Sequence, residues 1–181
     1  SPGYGNRTIH VVGDVHFDDY AARLATLTAD RDALPTERRV QVGDLTDDAE
    51  TAQDTAALAW LASAEVDNVI PGNHDLSSYS PYTLNTRTPA QFAATYSDYM
   101  DGANYTVDAG FATLVFLGNI PDAVPRVAPS TTIDWLEETL AAATKDCLIF
   151  CHYPLFNTVR KAPVEEQFRT DGAGTGNNHL H

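Results

Sequence analysis

Basic residues are scarce in this 181-residue chain: 11 Lys and Arg stand against 25 Asp and Glu, a formal charge of −14. Lys145 and Lys161 are the only lysines. Such a surface repels polyanions and disfavours a protein that holds nucleic acid along an extended basic face, so a phosphate needs a local positive centre. Cysteine is nearly absent. The two present, Cys147 and Cys151, fall in the apolar run 147–151; in an extended strand their Cα atoms lie ~13 Å apart, too far for a bridge. Reduced, buried thiols and a cytoplasmic setting are the expectation. No apolar run approaches the ~20 residues of a membrane-spanning helix, and residues 1–7 lack the charged and apolar regions of a secretory leader, although a cleaved leader would leave no trace. Repeats and a dividing linker are missing too, so one domain over residues 1–181 is expected. With 43% hydrophobic residues, a chain of this length buries roughly 70% of its unfolded surface without a disulfide scaffold.

What is present reads first as alternating strands and helices. Thr8–Val12 is a short β-branched run that stops at Gly13. Tyr20, Leu24, Leu27 and Leu34 then recur at near-helical spacing, behind acidic Asp18 and Asp19, which favour a helix start. Val40–Val42 is a second strand, Ala49–Ala64 an alanine-rich helix with Leu58, Trp60 and Leu61 as its large apolar residues, and Val66–Ile70 a third strand broken by Pro71-Gly72. This order, β-α-β-α-β, is that of a parallel sheet with covering helices. Residues 75–87 have no period and read as a surface loop. Thr88-Pro89-Ala90-Gln91 has the form of a capping box with proline at the first helical position, and Phe92, Tyr96, Tyr99 and Met100 follow on one face. Tyr105–Asp108 and Phe111–Leu117 form a hairpin. Thr131–Thr144 is a helix with Ile133, Leu136 and Leu140 inward, and Cys147–Cys151 a further buried strand. From Ala162 onward the chain is polar and rich in Gly and Asn.

Polar residues punctuate the strand ends. Asp14 with His16, Asp44, Asn73 with His74 and Asp75, and His152 stand at or just beyond the carboxyl ends of four expected strands. In an open α/β sheet that edge is where ligands bind, so one crevice can collect them all. Asp14 and His16 are two apart, and an extended backbone would point both to one side. A mixture of carboxylate, amide and imidazole donors suits Mn, Fe, Zn, Co or Ni better than Ca or Mg.

Gly13-Asp14-Val15-His16, Gly43-Asp44-Leu45, Gly72-Asn73-His74-Asp75 and Cys151-His152-Tyr153-Pro154 resemble, in order and context, the signature blocks of the calcineurin-like metallophosphoesterase superfamily. The resemblance covers residues 8 to about 156. It implies an α/β fold, a metallophosphoesterase-type α/β/β/α sandwich of two mixed sheets flanked by helices; family members continue into further strands, so here the second sheet is expected to be incomplete at the C-terminus. It also implies two divalent transition-metal ions, Mn and Fe being favoured. Asp14 and His16 would ligate the first ion, Asp44 would bridge both, and Asn73 and His152 would ligate the second. His74 would contact the phosphate and protonate the leaving oxygen, with Asp75 a candidate to orient it. Two dications ~3.5 to 4 Å apart lower the pKa of a bridging water and stabilise in-line attack on phosphorus. They would also leave the centre positive, drawing a phosphate despite the acidic surface.

The family closes its site with Gly-His-x-His. This chain ends Gly176-Asn177-Asn178-His179-Leu180-His181, so by analogy His179 would bind the second ion and His181 the first. However, Asn178 replaces the glycine and the approach is glycine-rich instead of an apolar strand, which leaves open a shortened tail or another route to the site.

Plainer roles compete with these. Asp14, Asp44 and Asp75 could each be a cap or turn residue, but that leaves the accompanying His16, Asn73, His74 and His152 unexplained. His10 is read as a packed or edge residue, and Asp47 and Asp48 as the solvated start of a helix. Purple acid phosphatases place a tyrosine where Asp47 stands, so their charge-transfer iron site is not expected. Tyr96, Tyr99 and Met100 are read as core, and Tyr79, Tyr82 and Arg87 as loop residues, solvated in preference to reaching substrate. The expected partner is a small phosphorylated substrate, a phosphomonoester or phosphodiester such as a cyclic nucleotide, with no membrane; oligomeric state is not indicated. A phosphoesterase-type nuclease and a non-catalytic binding module on the same fold are the alternatives.

Overall fold

The computed structural model describes residues 8–17, 38–77, 86–120 and 129–153. Three strands, β1 (Ile9–Val12), β2 (Arg38–Val42) and β3 (Asn68–Ile70), form a sheet in that order, paired parallel throughout. A second sheet holds β4 (Asn104–Asp108), β5 (Thr113–Leu117) and β6 (Cys147–Cys151); β4 and β5 are antiparallel, β5 and β6 parallel. Among the described residues the first sheet is therefore purely parallel and only the second is mixed. Parallel neighbours need crossovers, and helix α1 (Thr51–Ser63) lies between β2 and β3. The helix expected over Tyr20 to Leu34 lies outside the described residues.

The core runs between the sheets. Val40, Val69 and Ile70 of the first join Tyr105, Leu114 and Phe116 of the second, with Ala57, Trp60 and Leu61 of α1. The Tyr105 ring stacks on Phe116, centroids 4.5 Å apart, and its hydroxyl crosses to the first sheet, donating to Val69 O at 2.8 Å. Burial raises the pKa of that hydroxyl, which keeps it a donor. Helix α2 is a single turn, Asn73–Leu76, directly after β3. Helix α3 (Pro89–Thr95) starts with the expected box: Thr88 Oγ1 accepts from Gln91 N at 3.2 Å and Gln91 Oε1 from Thr88 N at 2.8 Å. Phe92, Tyr96 and Met100 are buried, as a core stripe requires.

Two expectations about packing fail. Helix α4 (Ser130–Ala142) buries Thr132 alone, while Ile133 and Leu140 are each 41% exposed. Thr132 is drawn in by polar contacts, its hydroxyl donating to Asn119 O at 3.0 Å. On β6, expected to be buried, Leu148 and Ile149 are each 39% exposed, because β6 is the last strand of its sheet among the described residues. Cys147 and Cys151 are not joined in a disulfide and lie at half-buried positions, not deeply buried ones.

Candidate metal centre

The loops after β1 and β2 run side by side. Asp14 N donates to Gly43 O at 3.0 Å, His16 N to Asp44 O at 2.9 Å and Phe17 N to Leu45 O at 2.8 Å. Parallel register thus continues past the strands and brings Asp14 and His16 to Asp44. It does so through left-handed backbone, with φ of 54° at Asp14, 48° at His16 and 51° at Asp44, and not through the extended segment expected between Asp14 and His16. Non-glycine residues rarely adopt that conformation, and it concentrates at functional sites.

Glycines make room for the approach. A Cβ on Gly43 would lie 2.6 Å from His152 Cγ, and one on Gly72 would lie 2.9 Å from Asp44 Cγ. Buried Gln41 holds Gly43 from below, donating through Nε2 to its carbonyl at 2.7 Å and accepting its N–H at 3.1 Å. Nothing in the alternation of β2 marks Gln41 for this task.

The two oxygens of Asp44 face different partners. Oδ2 lies 3.7 Å from His16 Nε2, which lies 3.9 Å from Asp14 Oδ1; the ligand atoms of these three residues all fall within 4.8 Å of one another. Oδ1 lies 3.4 Å from His152 Nε2, which is 3.1 Å from Asn73 Oδ1. His152 Nδ1 donates to Val42 O at 3.0 Å, which in the neutral ring leaves Nε2 as a lone pair facing two oxygen acceptors. Such a convergence calls for a cation, and a backbone carbonyl that fixes the tautomer is the usual support for a metal-ligating imidazole. Among the described residues no lysine or arginine pairs with Asp14, Asp44 or Asp47. The donor set therefore fits one ion on each side of Asp44.

Asp47 is the residue that the sequence reading missed. It stands in the site, ahead of the helix that begins at Thr51, and its Oδ1 accepts from His16 Nδ1 at 3.0 Å. Its carbonyl accepts from His74 Nδ1 at 2.8 Å, with Oδ1 3.4 Å from the same nitrogen. One residue thus orients two imidazoles that meet edge-on, 4.5 Å between centroids. Its place three residues beyond Asp44, on the same strand-end loop, was the available signal.

Asp75 is fully buried and does not bond the His74 ring. Its carboxylate accepts from Gly72 N at 2.8 Å, Thr46 N at 2.7 Å, Leu45 N at 3.1 Å and Thr46 Oγ1 at 3.0 Å. The side chain expected to orient His74 instead ties the loop after β2 to the turn after β3. Burial pushes the Asp75 carboxyl above its ordinary range, against the lowering effect of those backbone donors. Arg87 is no solvated loop residue: it is ion-paired with Asp54 at 2.8 Å. Tyr79, Tyr82, His179 and His181 lie outside the described residues.

The chain belongs to the calcineurin-like phosphoesterase family, whose model matches residues 7–174. The match covers every strand-end block gathered here. Membership makes the protein a metal-dependent hydrolase of phosphate esters, and the family implies divalent metal ions. No curated protein sequence matches the chain. No helix among the described residues is long and apolar enough to cross a membrane.

Proposed function

We propose that this protein is a dimetal phosphohydrolase that cleaves a phosphomonoester or phosphodiester bond in a small substrate such as a cyclic nucleotide. The observation that carries the reading is the division of Asp44, one oxygen toward Asp14 and His16 and the other toward Asn73 and His152. Asp14, His16 and Asp44 Oδ2 would hold one ion, and Asp44 Oδ1, Asn73 Oδ1 and His152 Nε2 the other, with Mn or Fe matched to the mixed oxygen and nitrogen donors. When bound, such a pair acidifies water and neutralises charge on the phosphoryl oxygens.

The chain's own residues supply the geometry. Asp47 and the Val42 carbonyl lock the Nδ1 sides of His16 and His152, so each ring would offer Nε2 to a bound ion. His74 is held at Nδ1 by Asp47, and as imidazolium it would pass its Nε2 proton to the departing oxygen. A small substrate is favoured because the chain is strongly acidic, which opposes a polyanion but tolerates one phosphate at a locally positive centre.

Hydrolysis of p-nitrophenyl phosphate and bis(p-nitrophenyl) phosphate with added Mn tests the assignment. The wild type turns over at least one ester, and Asp44→Asn and His74→Ala each lose about 10²- to 10⁴-fold, the usual range for a proton donor and a minimum for the bridging ligand. Full activity in either variant would overturn the assignment of that residue.

A further inference from the structure

The turn that carries Asn73 and His74 is gripped on two sides. Toward the crevice, the Asp75 side chain ties it to the loop after β2. On the other side, Arg87 Nε donates to the Asp75 carbonyl, and Arg87 N donates to Leu76 O at 2.8 Å. The Arg87 side chain is only 11% exposed and its partner Asp54, on α1, 13%. Nη1 reaches both Asp54 oxygens, at 2.9 and 2.8 Å. Tyr96 completes the set, its hydroxyl donating to Asp54 Oδ1 at 2.6 Å. Burial first, then the Asp54 bond, push that hydroxyl well above its ordinary pKa, so it stays a donor. The guanidinium carbon also lies 4.8 Å from the Phe92 ring centroid and 5.8 Å from that of Tyr96, where a cation over an aromatic face is attracted to it.

We propose that Arg87, anchored by Asp54, is a positioning residue for His74. A buried guanidinium held on Asp54 and against two rings has one rotamer to occupy, so its Nε fixes the Asp75 carbonyl and with it the pitch of the one-turn helix α2. His74 is the second residue of that turn, and its ring must meet Asp47 and the leaving oxygen together. A lysine could keep the charge opposite Asp54, but it lacks the planar fork and the Nε donor. Displacements of about 1 Å from the reacting geometry can cost on the order of 10²-fold. The inference rests on the phosphoesterase reading and adds to it a residue that touches neither substrate nor ion.

The test compares Arg87→Lys, Asp54→Asn and His74→Ala with the wild type on p-nitrophenyl phosphate and phenyl phosphate, with Mn, at a temperature where circular dichroism shows all of them folded. A poor leaving group depends on proton donation more than a good one does. Arg87→Lys should therefore lose about tenfold more kcat on the phenyl ester than on the nitrophenyl ester, with KM nearly unchanged, in the direction His74→Ala takes further. In the metal-free protein, a His74 Nδ1–H signal is expected by NMR in the wild type because Asp47 O accepts it, and it should broaden in Arg87→Lys. Asp54→Asn carries the same comparison should Arg87→Lys not fold. Equal losses on both esters, or lowered thermal stability with unchanged kcat, would overturn the proposal while leaving the site reading intact if His74→Ala shows the leaving-group effect. An inactive wild type would overturn both.

Discussion

Asp14, His16 and Asp44 all hold left-handed backbone, a conformation that costs ordinary residues roughly 1–3 kcal/mol each unless the surroundings impose it. The surroundings here are the paired strand-end loops and two glycines whose missing side chains admit Asp44 and His152. Gly72→Ala tests this at the scale of one methyl group. The new Cβ would displace the Asp44 carboxylate, so metal content measured by elemental analysis should fall toward zero for both ions. Gly110→Ala, whose Cβ would meet nothing within 4 Å, should leave metal content unchanged, although its φ of 82° will lower stability. The residue types of the site were legible in the sequence because carboxylates and imidazoles at strand ends have few other joint uses. The φ values and the part played by Asp47 were not. A period-two reading assumes extended backbone, and an aspartate before a helix is ordinarily solvated.

At the scale of elements, strand ends set the site and helices brace it. The box at the start of α3 joins Thr88 and Gln91 reciprocally, immediately after Arg87, so it also fixes where the Arg87 backbone leaves the loop. Thr88→Ala removes one half of it and should lower stability by about 1 kcal/mol, read as a lower midpoint in thermal unfolding; an unchanged midpoint would show that the cap contributes nothing. The parallel crossover and the hairpin were legible because alternation and capping residues encode local geometry. Burial on α4 and β6 was not. The apolar residues Ile133, Leu140, Leu148 and Ile149 mark faces able to pack, but the sequence does not say what packs on them, and each is substantially exposed. Arg87 was hidden for the converse reason: its buried partner Asp54 is 33 residues away, beyond the reach of any local pattern.

For the molecule as a whole, the governing contrast is between a chain of formal charge −14 and a reaction on an anionic substrate. Asp14, Asp44 and Asp47 gather without a lysine or arginine among the described residues to balance them, and bound cations would both relieve that repulsion and reverse the local potential. Anomalous scattering at the manganese edge, from crystals grown with manganese, tests this most directly. Two peaks about 3.5–4 Å apart are predicted, on either side of Asp44, one against Asp14 and His16 and the other against Asn73 and His152. An ordered site with no peak between these side chains would contradict the account.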